Sequence, residues 1–317
     1  MLLSEATDAF LLHCRHERGL SPLTLNAYRL DLGQFAACME LPPDTPVTEI
    51  DKNCMRAYIA QLAERYKPKS TRRKLATLKS FFTFLEQEEW VESSPFRKLR
   101  VRIERAKTLP RTIPAESVAR LLHCAQARQG PAKEHSRRFM AAVRDIAVLE
   151  TLFSTGVRVS ELCSLRTEHV DLAQRQILVL GKGKRERVIP ICDSSTLGAL
   201  HEYVRSYGEY LTSGEPFFLN RDLRPLSDQS VRRIIRKHQG LAGLTGSMTP
   251  HMFRHTIATL LLENGVDIRN IQRLLGHSSL AVTEIYTHVS LAAQREALGK
   301  KHPREMMEEG GDRIRER

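Results

Sequence analysis

The sequence predicts a mainly α-helical protein made of two domains, the second of which contains a small antiparallel β-sheet. Length is the first reason, because the chain has 317 residues and a typical domain has roughly 150. The second is that apolar residues recur at helical spacing along most of the chain. The third is a pair of β-rich segments, residues 176–180 and 186–191, on either side of a glycine-containing turn.

The amino-terminal part is predicted to contain four helices. Each carries a stripe of apolar residues, and a chain break or a capping residue separates it from the next. The residues expected to begin the four helices are Leu2, Ser21 with Pro22 as the first helical residue, Asp51 and Ser70. Four helices with short connections form a compact bundle, so we expect an α-helical domain over residues 1–103.

The second domain is predicted to span residues 114–302, after a linker at 104–113 and before a charged, disordered tail at 303–317. A polar stretch at 128–138 is expected to be a surface loop. One short helix is expected to begin just after Gly156. The other helices, predicted from apolar spacing, lie near residues 115–127, 136–154, 194–211, 227–240, 250–264 and 267–275.

The charge of the chain favours a polyanionic partner. Lys and Arg number 49 against 37 Asp and Glu, which gives a net charge of +12 and an isoelectric point of about 9.6. Charge alone does not choose among DNA, RNA and an anionic membrane. No apolar run approaches the ~18 residues of a transmembrane helix, and the first residues lack the basic start of a signal peptide. We therefore expect a cytoplasmic protein.

The cysteines and histidines do not favour a structural metal. The six cysteines are widely scattered without a C-x-x-C pair, which indicates reduced thiols rather than a disulfide framework or a zinc ribbon. His251 and His255 lie four residues apart, as zinc ligands on a helix do. The glutamate of an H-E-x-x-H motif is absent, however, and no convincing third ligand follows.

A basic cluster marks the start of the predicted fourth helix. Seven cations occur there before the next acidic residue, Glu86. Such a run is often only a solvated face, but uncompensated cations repel one another unless an anion binds, so we predict contacts with DNA phosphates. The cluster comprises Arg65, Lys67, Lys69, Arg72, Arg73, Lys74 and Lys79. A second basic run at 97–107 either follows the DNA backbone or is merely a solvated connector, and the sequence favours neither interpretation.

The carboxy-terminal part contains the residue types that phosphodiester cleavage requires. The reaction needs a nucleophile, cations at the non-bridging oxygens, a proton donor for the leaving oxygen and a frame that aligns them. Tyr286 is the candidate nucleophile; its phenol, with an ordinary pKa near ~10, needs nearby cations to favour the phenolate. Arg158 and Arg254 can make paired hydrogen bonds to one phosphate.

Four more residues complete the candidate site. Lys182, in the glycine-containing turn, can protonate the departing 5′-oxygen, and His277 can donate to a phosphate oxygen. His251 can accept the proton of the nucleophile or simply position it, and Glu161, one turn after Arg158, can hold that arginine. Each residue taken alone also has an ordinary interpretation, as core packing, a helix ion pair or a turn, so the combination carries the prediction.

The combination resembles the tyrosine recombinases, most closely those of the Xer type. All six catalytic positions of that family are filled by the expected residue types in the expected order. The matching segments are Thr155-Gly-Val-Arg158-Val-Ser-Glu161-Leu, Leu180-Gly-Lys182-Gly-Lys-Arg-Glu-Arg187, Thr249-Pro-His251-Met-Phe-Arg254-His255-Thr, Leu275-Gly-His277-Ser-Ser and Ile285-Tyr286-Thr-His288. The resemblance covers nearly the whole chain, because the family also has an α-helical core-binding domain ahead of its catalytic domain.

The resemblance implies a site-specific DNA recombinase that needs neither metal nor ATP, since a 3′-phosphotyrosine stores the energy of the broken bond. It further implies a homo-tetramer, or a pairing with a related recombinase, that joins two DNA sites and exchanges strands through a Holliday junction. A carboxy-terminal segment at about 290–302 is then expected to dock on a neighbouring protomer. Such a protein would be nucleoid-associated. The loop at 128–138 and the tail at 303–317 depart from the shortest family members.

Four roles remain open at this point. The chain could resolve chromosome dimers or integrate and excise a mobile element. It could instead be a DNA-binding protein without catalysis, or a type IB topoisomerase that relaxes DNA without paired sites.

Overall fold

A computed structural model describes residues 1–97, 99–101, 103, 111–127, 136–181 and 186–276. The chain divides into two compact units, Met1–Thr108 and Leu109–Arg317. Among the described residues the first unit contains only helices, whereas the second combines helices with a small antiparallel sheet. The predicted fold class is therefore confirmed.

Within residues 1–97 the first unit contains four α-helices, as predicted. They are α1 (Leu3–His16), α2 (Pro22–Cys38), α3 (Lys52–Arg65) and α4 (Pro68–Gln87). Ser21 caps α2 by accepting the backbone N–H of Thr24, and Asp51 caps α3. The prediction that Ser70 caps α4 is wrong. The helix begins at Pro68, whose fixed φ suits the first helical position.

The core of the first unit is rich in aromatic side chains from all four helices. Phe10 of α1 lies against Phe81 of α4 with their ring centroids 5.4 Å apart, and Phe35 of α2 lies against Tyr58 of α3 at 5.0 Å. Beyond α4, the apolar members of the second basic run pack against this core and are partly buried. They are Leu99, Val101 and Ile103.

The second unit is built around one buried helix. Helix α6 has a face of buried residues on nearly every turn, and it packs against α5, α8 and α10. Among the described residues of this unit, the α-helices are α5 (Ala115–Ala127), α6 (Arg137–Thr155), α7 (Val159–Cys163), α8 (Ser194–Tyr207), α9 (Asp228–Leu241), α10 (Pro250–Glu263) and α11 (Ile268–Leu275). The helix predicted over 194–211 ends earlier, because a 3₁₀ turn over Gly208–Tyr210 follows Tyr207.

The sheet of the second unit has three antiparallel strands in the order β1-β2-β3 among the described residues. The strands are β1 (Val170–Asp171), β2 (Gln176–Leu180) and β3 (Glu186–Pro190). Strands β2 and β3 were predicted; β1 was not, because two residues are too few to show an alternating pattern. Residues 182–185, between β2 and β3, lie outside the described residues.

Within the described ranges, no helix is long and apolar enough to cross a membrane. The same residues contain no group of three or more His, Cys, Asp or Glu side chains arranged to hold a metal ion.

Candidate active site

The candidate site surrounds the carboxyl end of α11. Gly276, with φ of 64°, ends this helix in the left-handed conformation. Three arginines donate hydrogen bonds to the carbonyls of the last two helical residues and of the capping Gly276, where the helix dipole places negative charge. The pairs are Arg187 Nε with Leu274 O at 2.9 Å, Arg254 Nη2 with Leu275 O at 2.5 Å and Arg158 Nη2 with Gly276 O at 3.2 Å.

Arg254 connects the end of α11 to the end of α6. Arg254 is 4% exposed, and its Nη1 donates to the carbonyl of Gly156 at 2.7 Å. Helix α10, which carries Arg254, begins at Pro250 and is capped by Thr249, whose side chain accepts the backbone N–H of Met252. The capped start of α10 therefore fixes the position from which Arg254 reaches both neighbouring helix ends.

Gly156 allows those helix ends to come together. Its φ is 60°, in the left-handed region that favours glycine. A Cβ atom at this position would lie 2.8 Å from Cδ2 of Leu275 and 2.9 Å from Cγ2 of Ile257. A larger residue here would push α10 and α11 away from α6, and with them Arg254.

Arg158 and Glu161 form a second part of the site. Arg158 precedes α7, and Glu161 lies in its first turn, 5% exposed. The Glu161 carboxylate accepts the Arg158 backbone N–H at 2.8 Å and Arg158 Nη1 at 2.6 Å. The predicted role of Glu161 in holding Arg158 thus has a matching geometry. Glu161 also accepts Arg187 Nη1 at 3.0 Å and Nη2 at 2.7 Å.

Glu161 is ionised over the whole physiological range. Burial alone would raise the pKa of its carboxyl group, but hydrogen bonds from Arg187 and from the backbone and side chain of Arg158 outweigh burial and lower the pKa to about 2. A buried carboxylate thus keeps its charge because two guanidiniums surround it.

His251 lies one turn before Arg254 on α10 and is exposed. Its pKa is lowered by partial desolvation and by the nearby cations Arg232, Arg254 and Arg158. Burial, His251 and Arg254 also lower the pKa of His255. A lowered pKa keeps His251 neutral at physiological pH, and a neutral imidazole can accept a proton.

Four of the seven predicted site residues are described by the structure, and it brings them together. Arg158, Glu161 and Arg254 meet around the end of α11, and His251 is close enough to both arginines for their charges to lower its pKa. The remaining three, Lys182, His277 and Tyr286, lie outside the described residues. So do the segment at 290–302, the tail at 303–317 and residues 128–135 of the predicted loop.

Sequence reasoning missed two arginines near this site. Arg187 holds both Glu161 and the end of α11, yet it was predicted only as a strand residue at the end of the segment that contains Lys182, with no role of its own. A signal was present: in β3 it shares a face with the buried Ile189, an unusual place for an arginine without a partner. Arg232 of α9, which lowers the pKa of His251, gave no such signal.

Most of the basic cluster of the first unit lies at the amino end of α4, and Lys79 lies near the middle of that helix. Arg65, Lys67, Lys69 and Lys79 are exposed, and Arg72 is partly buried. The first turn of α4 carries no acidic residue, so its helix dipole adds to the positive potential of the cluster. This arrangement favours anion binding.

The prediction that all seven cations of the cluster lack an acidic partner is wrong for Arg73 and Lys74. Both side chains pair with Asp31 of α2, which is 1% exposed. Lys74 is 3% exposed; its Nζ lies 3.1 Å from Asp31 Oδ1, also donates to Gln34, and lies 4.9 Å from the centre of the Tyr66 ring. Lys74 is therefore an internal cation. A buried charge needs a partner, and Asp31 supplies it.

Comparison with known proteins shows the family of the chain. The sequence model of the Phage integrase family matches residues 111–292, and that of the Phage integrase N-terminal SAM-like domain matches residues 7–89. The first match covers more than half of the chain and includes every candidate catalytic residue. The chain therefore belongs to the phage integrase family, that is, to the tyrosine recombinases.

Similar curated proteins place the chain near the Xer recombinases. It is 41% identical over 297 residues to a tyrosine recombinase of Agathobacter rectalis, covering 94% of this chain and 96% of that protein. It is 38% identical over 304 residues to tyrosine recombinase XerC of Pelobacter propionicus, with 95% and 96% covered. The chain is accordingly an enzyme of site-specific DNA recombination.

Solved structures share the fold. XerA recombinase, 30% identical, covers 95% of this chain and 99% of its own with a TM-score of 0.52. XerH recombinase bound to a palindromic difH substrate after cleavage gives a TM-score of 0.73 at 20% identity, covering 93% and 85%. A lambda integrase tetramer on a Holliday junction gives 0.69 at 20% identity, covering 90% and 77%.

Proposed function

We propose that this chain cuts and rejoins DNA through attack of Tyr286 on a phosphodiester. The phenolate oxygen forms a bond to phosphorus, the bond from phosphorus to the 5′-oxygen breaks, and Lys182 protonates that oxygen. The product is a 3′-phosphotyrosine and a free 5′-hydroxyl. Attack by a 5′-hydroxyl of the partner strand reverses these steps, so rejoining consumes no ATP.

The convergence of Arg158 and Arg254 on the end of α11 supports this proposal most strongly. Arg158 lies 118 residues before Gly276 in sequence, yet its guanidinium reaches the carbonyl of that residue. Arg254 donates to the preceding carbonyl. Two fixed cations at one helix end stabilise the charge that develops on the non-bridging oxygens, and little reorganisation is then needed during reaction. His277, the next residue after Gly276, is proposed to donate to one of those oxygens.

His251 is proposed to accept the phenolic proton of Tyr286 or to position that group. The cations that favour phenolate also lower the pKa of His251, so the imidazole is neutral when the tyrosine must lose its proton. No metal ion is needed for any of these steps. Phosphate charge is met by guanidinium groups, and proton transfers are assigned to side chains.

DNA is proposed to contact the first unit through the exposed members of the basic cluster. Arg65, Lys67 and Lys69 are exposed around the amino end of α4, Lys79 is exposed near its middle, and Arg72 is partly exposed. The two remaining cations of the cluster differ in exposure. The Arg73 side chain is 53% exposed beside Asp31, whereas Lys74 is internal. We therefore keep Arg73 in the proposed interface and remove Lys74 from it.

The assembly on DNA follows from the proposed chemistry. Exchange of strands between two sites needs four active tyrosines, hence a tetramer of this chain or of this chain with a related recombinase. We propose that it passes through a Holliday junction and that residues 290–302 dock on a neighbouring protomer. A protein with this activity would be bound to the nucleoid. Dimer resolution and mobile-element integration are both compatible with the chemistry.

A trapping experiment tests the proposal. The DNA site is first located by footprinting the protein on the genomic DNA around its own gene. A duplex of that site, nicked so that cleavage releases a short 5′ fragment, then traps the covalent adduct. The wild-type protein is expected to accumulate adduct, Lys182→Ala to form it more slowly, and Tyr286→Phe to form none.

Arginine variants provide the second arm of that experiment. Arg158→Lys and Arg254→Lys keep a cation but cannot form the same paired hydrogen bonds. We expect each to bind the duplex and to cleave it at least ~100-fold more slowly. Adduct formation by Tyr286→Phe would refute the nucleophile, and wild-type rates in both lysine variants would refute the role of the arginines.

A further inference from the structure

Arg187 lies where β3 faces the interior of the second unit. It shares a strand face with Ile189, which is 0% exposed, whereas the intervening Val188 is 54% exposed. Its own side chain is 13% exposed. An arginine on the inward face of a strand must find partners for its charge and its donors.

All three nitrogens of the Arg187 guanidinium donate to neighbouring groups. Nη1 and Nη2 donate to the two oxygens of Glu161 at 3.0 Å and 2.7 Å, and Nε donates to Leu274 O at 2.9 Å. The first two bonds form a bidentate pair, which combines strength with a fixed orientation. A lysine at this position would supply one point charge and could not hold both partners in the same way.

The partners of Arg187 are also those on which Arg158 depends. Arg158 donates to Glu161 Oε1 at 2.6 Å and to Gly276 O at 3.2 Å. Arg187 therefore fixes both the carboxylate and the helix end that set the orientation of Arg158. Its guanidinium also fills the space beside Gly276, where an added Cβ would lie 2.9 Å from Nη1 and 3.1 Å from Cδ.

We propose that Arg187 is a positioning residue for DNA cleavage, which holds Glu161 and the last turn of α11 in the arrangement that orients Arg158. The assignment rests on the proposed function, since it concerns the same reaction. Arg187 contacts protein groups and has no direct role at the phosphate. Two further candidate residues are close in sequence: Lys182 precedes Arg187 by five residues, and His277 follows Leu274 by three.

The charge of Glu161 also depends on Arg187. Burial favours the protonated acid, and the hydrogen bond from Arg187 is the largest of the opposing contributions. Loss of Arg187 leaves Glu161 with Arg158 as its cation, so its pKa moves upward from about 2. Protonation of Glu161 at moderately acidic pH would then weaken its hold on Arg158.

The test compares Arg187→Gln and Arg187→Lys with wild-type protein on the nicked duplex of the footprinted site. We expect single-turnover cleavage to fall on the order of 100-fold in Arg187→Gln and on the order of tenfold in Arg187→Lys. The Kd for the intact duplex should change less than about twofold, because the loss concerns the transition state. Arg205→Gln is the matched control, since Arg205 lies exposed on α8 and pairs with Glu202.

A pH profile distinguishes positioning from general destabilisation. The cleavage rate of Arg187→Gln should decline with falling pH. This decline should begin at pH values at which Glu161 is still ionised in the wild-type protein and does not affect its rate. In the double variant Glu161→Gln, Arg187→Gln that additional acid limb should be absent, because no carboxyl group remains to titrate. If Arg187→Gln does not fold, as judged by circular dichroism, the cleavage rate of Arg187→Lys relative to its Kd for the intact duplex decides.

The outcomes separate this inference from the proposed function. No Tyr286-dependent adduct in the wild-type protein would overturn the proposed function itself. A wild-type adduct together with unchanged cleavage in the Arg187 variants would overturn only the role of Arg187. A fall in rate accompanied by an equal loss of duplex binding, or by no change in the pH profile, would also overturn it.

Discussion

Three arginines stabilise the structure around the carboxyl end of α11. Each of Arg158, Arg187 and Arg254 uses its planar group of donors to connect a backbone carbonyl with a second element. Arg254 reaches the end of α6, whereas Arg158 and Arg187 share Glu161. A guanidinium can make several oriented hydrogen bonds at once. This explains why all three positions carry arginine rather than lysine.

The titration of His251 gives a prediction at this scale. If its neutral form is needed, cleavage should fall with decreasing pH as His251 protonates. The midpoint should lie below 6.5, the ordinary value, because burial and the cations Arg232, Arg254 and Arg158 lower its pKa. Arg232→Gln removes one of those cations, so the acid limb should move to higher pH. The measurement is the single-turnover cleavage rate between pH 5 and 8.

Arg233→Gln serves as its control, because this exposed neighbour on α9 donates to Ser230 and is not among the groups that lower the pKa of His251. If the acid limb of the pH profile does not move in Arg232→Gln, or moves equally in Arg233→Gln, His251 is not the titrating group.

Sequence reasoning located candidate residues better than it located their partners. Arg158, Glu161, His251 and Arg254 were predicted from motif spacing, and the structure places them near one another. The roles of Arg187 and Asp31 were missed, although each is a charged residue that shares a face with a buried apolar residue. Their partners are distant in sequence: Asp31 and Lys74 are 43 positions apart, and Arg187 and Leu274 are 87. Pairing over such distances depends on tertiary packing, which local periodicity does not report.

Whole elements were predicted more reliably than their ends. Long amphipathic helices such as α4 and α6 follow from apolar spacing, since burial of one face dominates their stability. Their first residues depend on a few competing hydrogen bonds, and Pro68 rather than Ser70 begins α4. Strand β1 has only two residues and pairs with β2 through tertiary contact, so the sequence carried no pattern for it.

Helix α4 gives a prediction at the scale of an element. Lys67 and Lys69 are exposed at its amino end, whereas Lys74 is 3% exposed beside Asp31. Lys67→Gln and Lys69→Gln should each reduce the slope of log K against log salt by about 0.9 if the lysine neutralises one phosphate. Binding isotherms at several salt concentrations measure this slope.

Lys74→Gln is the matched variant on the same helix. It should leave the salt slope unchanged but destabilise the first unit by about 3 kcal/mol, because Asp31 loses a buried partner. Urea denaturation measures that loss. A reduced salt slope in Lys74→Gln, or unchanged slopes in the exposed lysine variants, would contradict the assigned division between surface and internal cations.

At the scale of the whole molecule, the proposed reaction requires two DNA sites. A supercoiled plasmid with two copies of the footprinted site should yield deletion or inversion products, whereas a plasmid with one copy should not recombine within itself. A type IB topoisomerase would relax both plasmids equally. Gel analysis of the plasmids distinguishes the two activities, and a Tyr286→Phe protein provides the control for non-enzymatic changes.

The assignment of domains stays a prediction at this scale. Along the sequence, the boundary between the two compact units falls between Thr108 and Leu109, within the predicted linker at 104–113. The match to the N-terminal SAM-like domain covers residues 7–89, and the match to the Phage integrase family begins at residue 111. Residues 104–110 lie between these segments and outside the described ranges.

The most direct test of the central claim is to identify the residue that becomes attached to DNA. The adduct trapped on the nicked duplex is digested with protease and nuclease, and the modified peptide is sequenced by tandem mass spectrometry. We predict a nucleotide 3′-phosphate on the oxygen of Tyr286 and on no other residue. Attachment to a different side chain, or through a 5′-phosphate, would contradict the account.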